Sequence, residues 1–361
     1  MSDPISPAGP PTEITHLVRE RMEARAKQDW TRADALKQEI EDAGWRVVDR
    51  GSKTSVTPSA PASVEVGGEL RYGAAAAVPS LLDRPRSAAF TVVVIASEAP
   101  AKVSRLLAGL RDHAPAGTQV VIVANDPSAD QEASLRAGEA DLAPIGGIDP
   151  EVLRTSRRLP IAAALNIGLR RAAGEVVILS DGSAWPTGDA LLPMVESLGD
   201  PSVAVVGGFG LAVEQAGPFQ PNALERTEAA AVVALEGGWM AFRRADLVEL
   251  GPLDERFVIP AWLDVWWSLR LRAGIDPEAG YDPSDEAEDA GAEVAGTVPD
   301  RPAPEPDPLA PQVSLPAPRK AVRLDLPLGR DETRWPPDRS RMARRNMYRV
   351  LDQFGWRDDL T

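Results

Sequence analysis

The chain has 361 residues, a net charge of −15 and no cysteine. That length gives room for more than one domain and a sizeable core. The charge argues against a polyanion-binding surface over the whole molecule, and the missing cysteines exclude disulfides, thiolate metal sites and a cysteine nucleophile.

The start, residues 1–11, is polar and proline-rich, without a basic stretch leading into an apolar one, and is expected to be disordered and not a signal peptide. No apolar run approaches the length of a membrane span, so the expected location is cytoplasmic. Residues 12–51 predict a helical hairpin. Ile14, Leu17, Val18 and Met22 form one helical stripe; Ala33, Leu36, Ile40 and Ala43 form another. Asp29 or Thr31 suits the N-cap of the second helix and Gly44 its stop, and 45–51 suits a short strand and turn. Two helices bury little surface alone, so this unit is expected to pack on something. Residues 52–87, rich in Ser, Pro, Gly and Ala, predict a linker with room for a short strand.

From residue 88 the pattern changes. The runs 90–96, 119–124, 175–180 and 203–206 are short and β-branched with little alternation, as in strands buried on both faces. Between them lie the helical stripes Val103, Leu106, Leu107, Leu110 and Ile161, Leu165, Leu169, Ala172. This alternation predicts an open α/β sheet, mostly parallel, with helices on both faces. Residues 275–320, rich in Pro, Ala, Asp and Glu, predict an acidic disordered insertion. Residues 321–361 return to order, ending in a helix with Met347, Val350, Leu351 and Phe354 on one face.

Ligands bind open α/β sheets beyond the carboxyl ends of the strands. There the chain places Ser97 and Glu98, then Asn125 and Asp126, then Asp181-Gly182-Ser183. Carboxylates gathered at one rim suit a nucleotide, one for base or ribose and another for a metal beside a diphosphate. The alternative for each residue alone is that Asp and Asn favour turns after strands. The set favours the functional reading.

Several ordered segments carry a family likeness. The run from Ile161 through Asn166 and Gly168 to Asp181 resembles the approach to the DxD motif of family-2 glycosyltransferases. Gly237-Gly-Trp239-Met240 and Leu250-Gly-Pro-Leu-Asp254-Glu255-Arg-Phe257 resemble the acceptor-side segment. Asp264-Val-Trp-Trp-Ser-Leu-Arg270 resembles the helix that follows, and Leu326-Pro-Leu with Arg344–Asp352 resembles the C-terminal part of bacterial members. The resemblance implies a GT-A, Rossmann-like domain over 88–274, completed by 321–361. It implies transfer of a sugar from a nucleotide-diphosphate sugar to an acceptor, with inversion. By it, Ser97, Glu98, Asn125, Asp126, Asn166 and Asp181 would bind the donor, with Asp126 on the base. Asp264 would be the catalytic base, and Trp239, Met240, Asp254 and Glu255 would face the acceptor.

The chain departs from the family pattern. Ser183 stands where the second DxD aspartate belongs, Leu263 precedes the base, and Asp331 lies where members place a metal-ligating histidine. Asp181 and Asp331 are then the candidate ligands for Mn2+ or Mg2+, a thin set that phosphates and water would have to complete. A degenerate, non-catalytic member binding a nucleotide sugar or a protein partner is the alternative. Asp264 also suits a helix cap. The spacing of Trp262, Trp266 and Trp267 suits core, leaving Trp239 as the sugar-stacking candidate. Arg341, Arg344, Arg345 and Arg349 read as a solvated helix face.

The hairpin has its own likeness. Arg21 to Gly51, with Asp29-Trp30, Ala33-Asp34 and Gly44-Trp45, resembles the C-terminal domain of cysteinyl-tRNA synthetases, part of their anticodon-binding region. No synthetase catalytic motif accompanies it, so aminoacylation is not implied. Docking to a protein is preferred over tRNA contact, because acidic residues interleave with Arg19, Arg21, Arg25, Lys27 and Arg32.

Overall fold

The computed structural model describes residues 12–42, 45–50, 53–58, 61–141, 144–213, 221–274, 317–331, 340–355 and 357–360. The polar start at 1–11 and nearly all of the insertion at 275–320 lie outside the described residues. The chain divides into two units, one running to Pro61 and one beginning at Ala62.

The first unit holds helices α1 (Thr12–Ala26) and α2 (Trp30–Asp42), then the antiparallel strands β1 (Trp45–Arg50) and β2 (Lys53–Pro58). Asp29 Oδ1 accepts the Arg32 N–H at 3.0 Å, satisfying a donor that a helix start leaves open. Ile14, Ala33, Leu36 and Ile40 are buried; Met22, expected on the apolar stripe, is exposed. The guanidinium of Arg21 forks onto Asp49 at 2.7 and 2.6 Å. This bond pulls the Asp49 carboxyl down to about 2 and ties α1 to β1.

The second unit runs, in chain order, through β3 (Val64–Val66), β4 (Glu69–Tyr72), β5 (Ala88–Ala96), α3 (Pro100–His113), β6 (Thr118–Ala124), α4 (Ala129–Asp141), β7 (Glu151–Thr155), α5 (Ile161–Leu169), β8 (Gly174–Ser180), β9 (Ala184–Pro186), α6 (Leu192–Leu198), β10 (Val203–Gly207), β11 (Gly210–Ala212), β12 (Glu225–Thr227), β13 (Ala231–Val232), β14 (Ala234–Leu235), β15 (Met240–Arg243), α7 (Arg244–Leu250), α8 (Leu263–Ala273), β16 (Lys320–Arg323), β17 (Leu328–Arg330) and α9 (Arg341–Phe354). The main sheet has the order β13-β16-β10-β15-β8-β5-β6-β7-β4-β3. Strands β16, β10, β8, β5, β6, β7 and β4 point one way, and β13, β15 and β3 run against them. The sheet is therefore mostly parallel, as the unalternated β-branched runs require.

Alternate residues of the central strands feed two cores. Val93, Val121, Val123, Val177 and Leu179 pack with α5, α7, α8 and α9 on one face. Val92, Val94, Val120, Ile122, Val176 and Ile178 pack with α3, α4 and α6 on the other. Burying each such side chain stabilises the fold by about 1.5–3 kcal/mol. Helix α5 lies close to the sheet because Gly168 lacks a side chain: a Cβ there would come within 2.5 Å of Val93 Cγ1. Gly174 is more constrained, since its Cβ would fall 2.3 Å from the carbonyl carbon of Phe90.

The linker expected over 52–87 needs correction. Strand β2 completes the N-terminal hairpin, and β4 joins β7 in parallel, with β3 at the edge. These strands are short, and β3 is exposed along its length, so they lack the apolar signature that marks β5 or β6.

Candidate functional site

The central parallel strands end together. The Asn125 N–H donates to the carbonyl of Ala96 at 3.1 Å, and Ser97 Oγ donates to the carbonyl of Asn125 at 3.1 Å. Val94 pairs in register with Ser180. Ser97, Asn125, Asp126 and Asp181 therefore share one rim, with β6 and β8 separated by two strand spacings, roughly 10 Å.

Their roles at that rim differ. Asp126 is exposed and holds a left-handed φ of +47°, with its N–H donating to Thr155 Oγ1 at 3.0 Å. Such backbone in a non-glycine residue costs on the order of 1 kcal/mol and recurs at ligand sites. Asn125 is buried, and its amide is occupied: Nδ2 donates to the Leu159 carbonyl at 3.0 Å and Oδ1 accepts the Leu159 N–H at 2.8 Å. Asn166 does the same to another loop. It donates to the Leu253 carbonyl at 2.9 Å and to Glu255 Oε1 at 3.1 Å, and accepts the Leu253 N–H at 2.9 Å. Both asparagines, expected on the donor, instead brace the loops that frame the rim. Glu98 is exposed and ion-paired with Arg158. Asp254 is forked by Arg256, with Nη2 to Oδ2 at 2.6 Å.

Asp181 is exposed, and its Oδ1 accepts the Ser183 N–H at 2.7 Å. Ser183 is buried, yet its hydroxyl has no hydrogen-bond partner among the described residues. Both face Gly238. A Cβ at Gly238 would lie 3.1 Å from Ser183 Oγ and 3.6 Å from both Asp181 Oδ1 and the ring of Phe209. The preceding residue, Gly237, donates its N–H to Asp264 Oδ2. The Gly237–Gly238 turn thus touches Asp264 on one side and Asp181 with Ser183 on the other.

Asp264 stands near the start of α8, and Val265 donates its N–H to Oδ1 at 2.9 Å. Burial pushes the carboxyl up to about 7 and the neighbouring Glu236 adds to the rise, against the opposing N–H bonds of Gly237 and Val265. Glu236 itself is held by the fork of Arg226, at 2.8 and 2.7 Å, and by Arg330 at 2.6 Å. Trp262, two residues before Asp264, has a φ of +68°. A second strained backbone position therefore flanks the rim.

Two acceptor-side expectations are overturned. Trp239 is fully buried in the core between β10, β15 and α6, so its ring offers no face to a sugar; Met240 is 2% exposed. The antiparallel strand β15 turns this segment into the sheet, a pairing that the glycine-rich sequence does not announce. Trp262, Trp266 and Trp267 are core, with Trp266 and Trp267 stacked at 5.9 Å.

Asp331 comes close to the Asp181 turn through the β9–β17 pair, and its N–H donates to the Ser183 carbonyl at 2.8 Å. Its carboxylate, however, is taken by Arg105 at 2.8 Å and faces Lys102 Nζ at 3.9 Å. No group of three or more His, Asp or Glu able to hold a metal occurs among the described residues. With Ser183 in place of a carboxylate and Asp331 paired to cations, these donors do not fit a divalent-ion site. The sequence reading missed Lys102 and Arg105. Spaced i,i+3 at the start of a helix, they lie close in sequence to the strand end at Ser97, which was the available signal.

A hollow of about 370 Å³ lies between α3 and α4, lined by Val103, Leu107, Arg111 and Leu135 among others, and no rim carboxylate lines it. No helix among the described residues is long and apolar enough to cross a membrane. In the N-terminal unit, Arg21 and Arg25 meet Asp49 and Arg32 meets Glu20, so three of the basic residues offered for RNA are paired internally.

Residues 91–245 match the family model for glycosyl transferase family 2, and residues 8–56 match that of the cysteinyl-tRNA ligase anticodon binding domain. Both resemblances read from the sequence agree with these matches. The first takes in Asp126 and Asp181 and ends before Asp264 and Asp331. Among solved structures the chain is similar to the mannosyltransferase PcManGT from Pyrobaculum calidifontis in complex with GDP-Man and Mn2+, at 21% identity over 54% of this chain and 56% of that one, TM-score 0.42. It is similar to GalNAc-T7 with UDP, GalNAc and Mn2+, at 14% identity over 75% and 48%, TM-score 0.49. It is also similar to S. aureus TarS, at 15% identity over 51% and 33%, TM-score 0.39. The chain spans between a third and somewhat over half the length of these structures. No curated protein matches it.

Proposed function

We propose that the second unit transfers a sugar from a nucleotide-diphosphate sugar to an acceptor hydroxyl, with inversion, and that Asp264 is the base. One observation carries this reading: the Gly237–Gly238 turn joins Asp264 to the Asp181–Ser183 turn at the carboxyl rim of the sheet. A proton acceptor and a polar donor cradle then stand on either side of one backbone turn.

The chemistry follows from that placement. A carboxyl group titrating near 7 is substantially ionised at neutral pH and still basic enough to take a proton from an alcohol in the transition state. The acceptor oxygen attacks the anomeric carbon as Asp264 removes its proton, and the nucleoside diphosphate leaves from the opposite face. Asp126, exposed at the end of β6, is placed for the base or ribose; Asp181 and the unpartnered Ser183 hydroxyl are placed for the sugar end of the donor. Asp254 and Glu255 border the acceptor side through the loop that Asn166 braces. Trp239 and Met240 have no part in this scheme.

The test is a thermal-shift screen of UDP-, GDP- and dTDP-sugars with and without manganese, followed by product analysis with the donor that responds. A ligand that binds only the native state raises the melting temperature, by an amount set by its concentration relative to Kd. No shift with any nucleotide sugar would remove the assignment and leave a layered α/β domain without donor binding.

A further inference from the structure

The misfit between the donor set and a divalent ion has a positive counterpart on the other side of the same turn. We propose that Lys102 and Arg105 form the diphosphate-binding site, supplying as side chains the positive charge that a metal would supply, with Asp331 as their resting counter-ion. This rests on the transferase reading above and names the group that recognises the leaving diphosphate.

Three contacts place the two cations at the rim. The first turn of α3 packs on the Asp181–Ser183 turn: a Cβ at Gly182 would lie 3.6 Å from Lys102 Cβ. Asp331 is bonded through its N–H to the Ser183 carbonyl, and its carboxylate reaches both cations. The Arg105 guanidinium also lies over the ring of Trp185, 4.2 Å from the centroid. Trp185 in turn lies against Gly329, where a Cβ would come within 2.4 Å of the ring. Arg105 is therefore held in orientation by an aromatic face and a carboxylate, while both cations keep about two-fifths of their side-chain surface exposed.

Charge and geometry favour exchange of Asp331 for a diphosphate. One carboxylate, Asp331, is shared by the two cations, so neither has a counter-ion of its own. A diphosphate offers more charge and more acceptor oxygens than a single carboxylate, and a guanidinium binds two phosphate oxygens at once. Helix α3 begins beside them with no side-chain cap at Ala99, so its positive end adds to the same field. The hydroxyl of Ser183, buried and without a hydrogen-bond partner among the described residues, belongs to the same turn but faces Gly238.

The experiment is calorimetric titration of the full chain with UDP, GDP and dTDP, once in EDTA and once in excess Mn2+. The expected result is that the nucleotide that binds does so within about twofold in the two buffers. Lys102→Met, which keeps the apolar stem, and Arg105→Gln should each weaken it by about tenfold or more. Asp331→Asn should strengthen binding, because it removes the competing carboxylate. Melting temperatures of the variants separate loss of binding from loss of fold. A tenfold or greater loss of affinity in EDTA, or a similar loss in Asp331→Asn, would show a metal ligand and overturn the proposal while leaving the transferase reading intact. Unchanged affinity in folded Lys102→Met and Arg105→Gln also overturns it. If no nucleotide binds in either buffer, the transferase reading fails and this inference fails with it.

Discussion

Gly237 donates its backbone N–H to the Oδ2 of Asp264, and through the next residue the same turn meets Asp181. The bond does two things. It fixes where the carboxylate points, and it keeps an otherwise desolvated charge tolerable in the rim. The expected behaviour of several variants follows from it.

Asp264→Asn is expected to reduce transfer by at least about a hundredfold while donor affinity changes little, since general-base catalysis contributes on this scale. Steady-state turnover and nucleotide titration measure the two effects separately. In the unmodified protein kcat/KM should rise with pH and level off above about 7, because the base works only when ionised. Turnover in Asp264→Asn equal to that of the parent removes Asp264 from the mechanism.

The same carboxyl group makes stability depend on pH. Its folded pKa, about 7, lies above the ordinary value of 3.8, so its stabilising contribution is fully present below about 4. That contribution is lost as pH rises through about 7. Asp264→Asn should therefore gain stability relative to the parent between pH 5 and pH 8, by on the order of 1–3 kcal/mol after discounting for solvent near the rim. Urea denaturation at the two pH values checks this, and a difference that shrinks over that range contradicts the raised pKa.

Gly238→Ala tests the space beside Asp181. The φ of Gly238 is +113°, a region closed to side-chain-bearing residues, and the new Cβ would sit against Ser183 Oγ. Donor binding should weaken with little change in the far-UV spectrum. Binding equal to that of the parent would mean that the donor does not use this space.

Gly174→Ala tests the sheet instead. Its Cβ would fall within 2.5 Å of backbone atoms of both Phe90 and Thr91, which cannot move without parting β5 from β8. A loss of about 3 kcal/mol or more, or failure to fold, is expected from overpacking of this kind. A change under 1 kcal/mol in denaturant titration would contradict the close strand approach.

The N-terminal unit offers a test of RNA contact. With Arg21, Arg25 and Arg32 paired to acids, the intact protein is expected to form no salt-sensitive complex with tRNA near physiological ionic strength. A mobility shift that fades as salt rises would reverse this and make the unit an RNA module.

The β-branched runs at 90–96 and 119–124 showed the parallel sheet in the sequence because burial on both faces leaves no polar alternation. The stripe of α5 was equally plain. Strands β3 and β4 were not, since an edge hairpin exposed to water has a linker's composition. At the rim, sequence placed Asp126 and Asp181 beyond strand ends because turns there are short and local. It assigned Asn125 and Asn166 to a ligand, while their amides hold Leu159 and Leu253. Which backbone a buried amide will satisfy depends on loops distant in sequence, and no local pattern encodes it. Trp239 misled for the same reason: core spacing of Trp262, Trp266 and Trp267 left it as the sugar-stacking candidate, but pairing of β15 with β8 carries the segment into the sheet.

Strand β16 lies between β10 and β13, yet it is supplied by residues 320–323, more than one hundred residues after β10. A ribosome making this chain therefore releases a sheet whose β10 edge stays bare until residues 320–323 have emerged. Unpaired edges recruit other strands. Nascent chains stalled before residue 320 should accordingly depend on chaperones, whereas the unit of α1, α2, β1 and β2, whose pairings all fall within residues 12–58, should not.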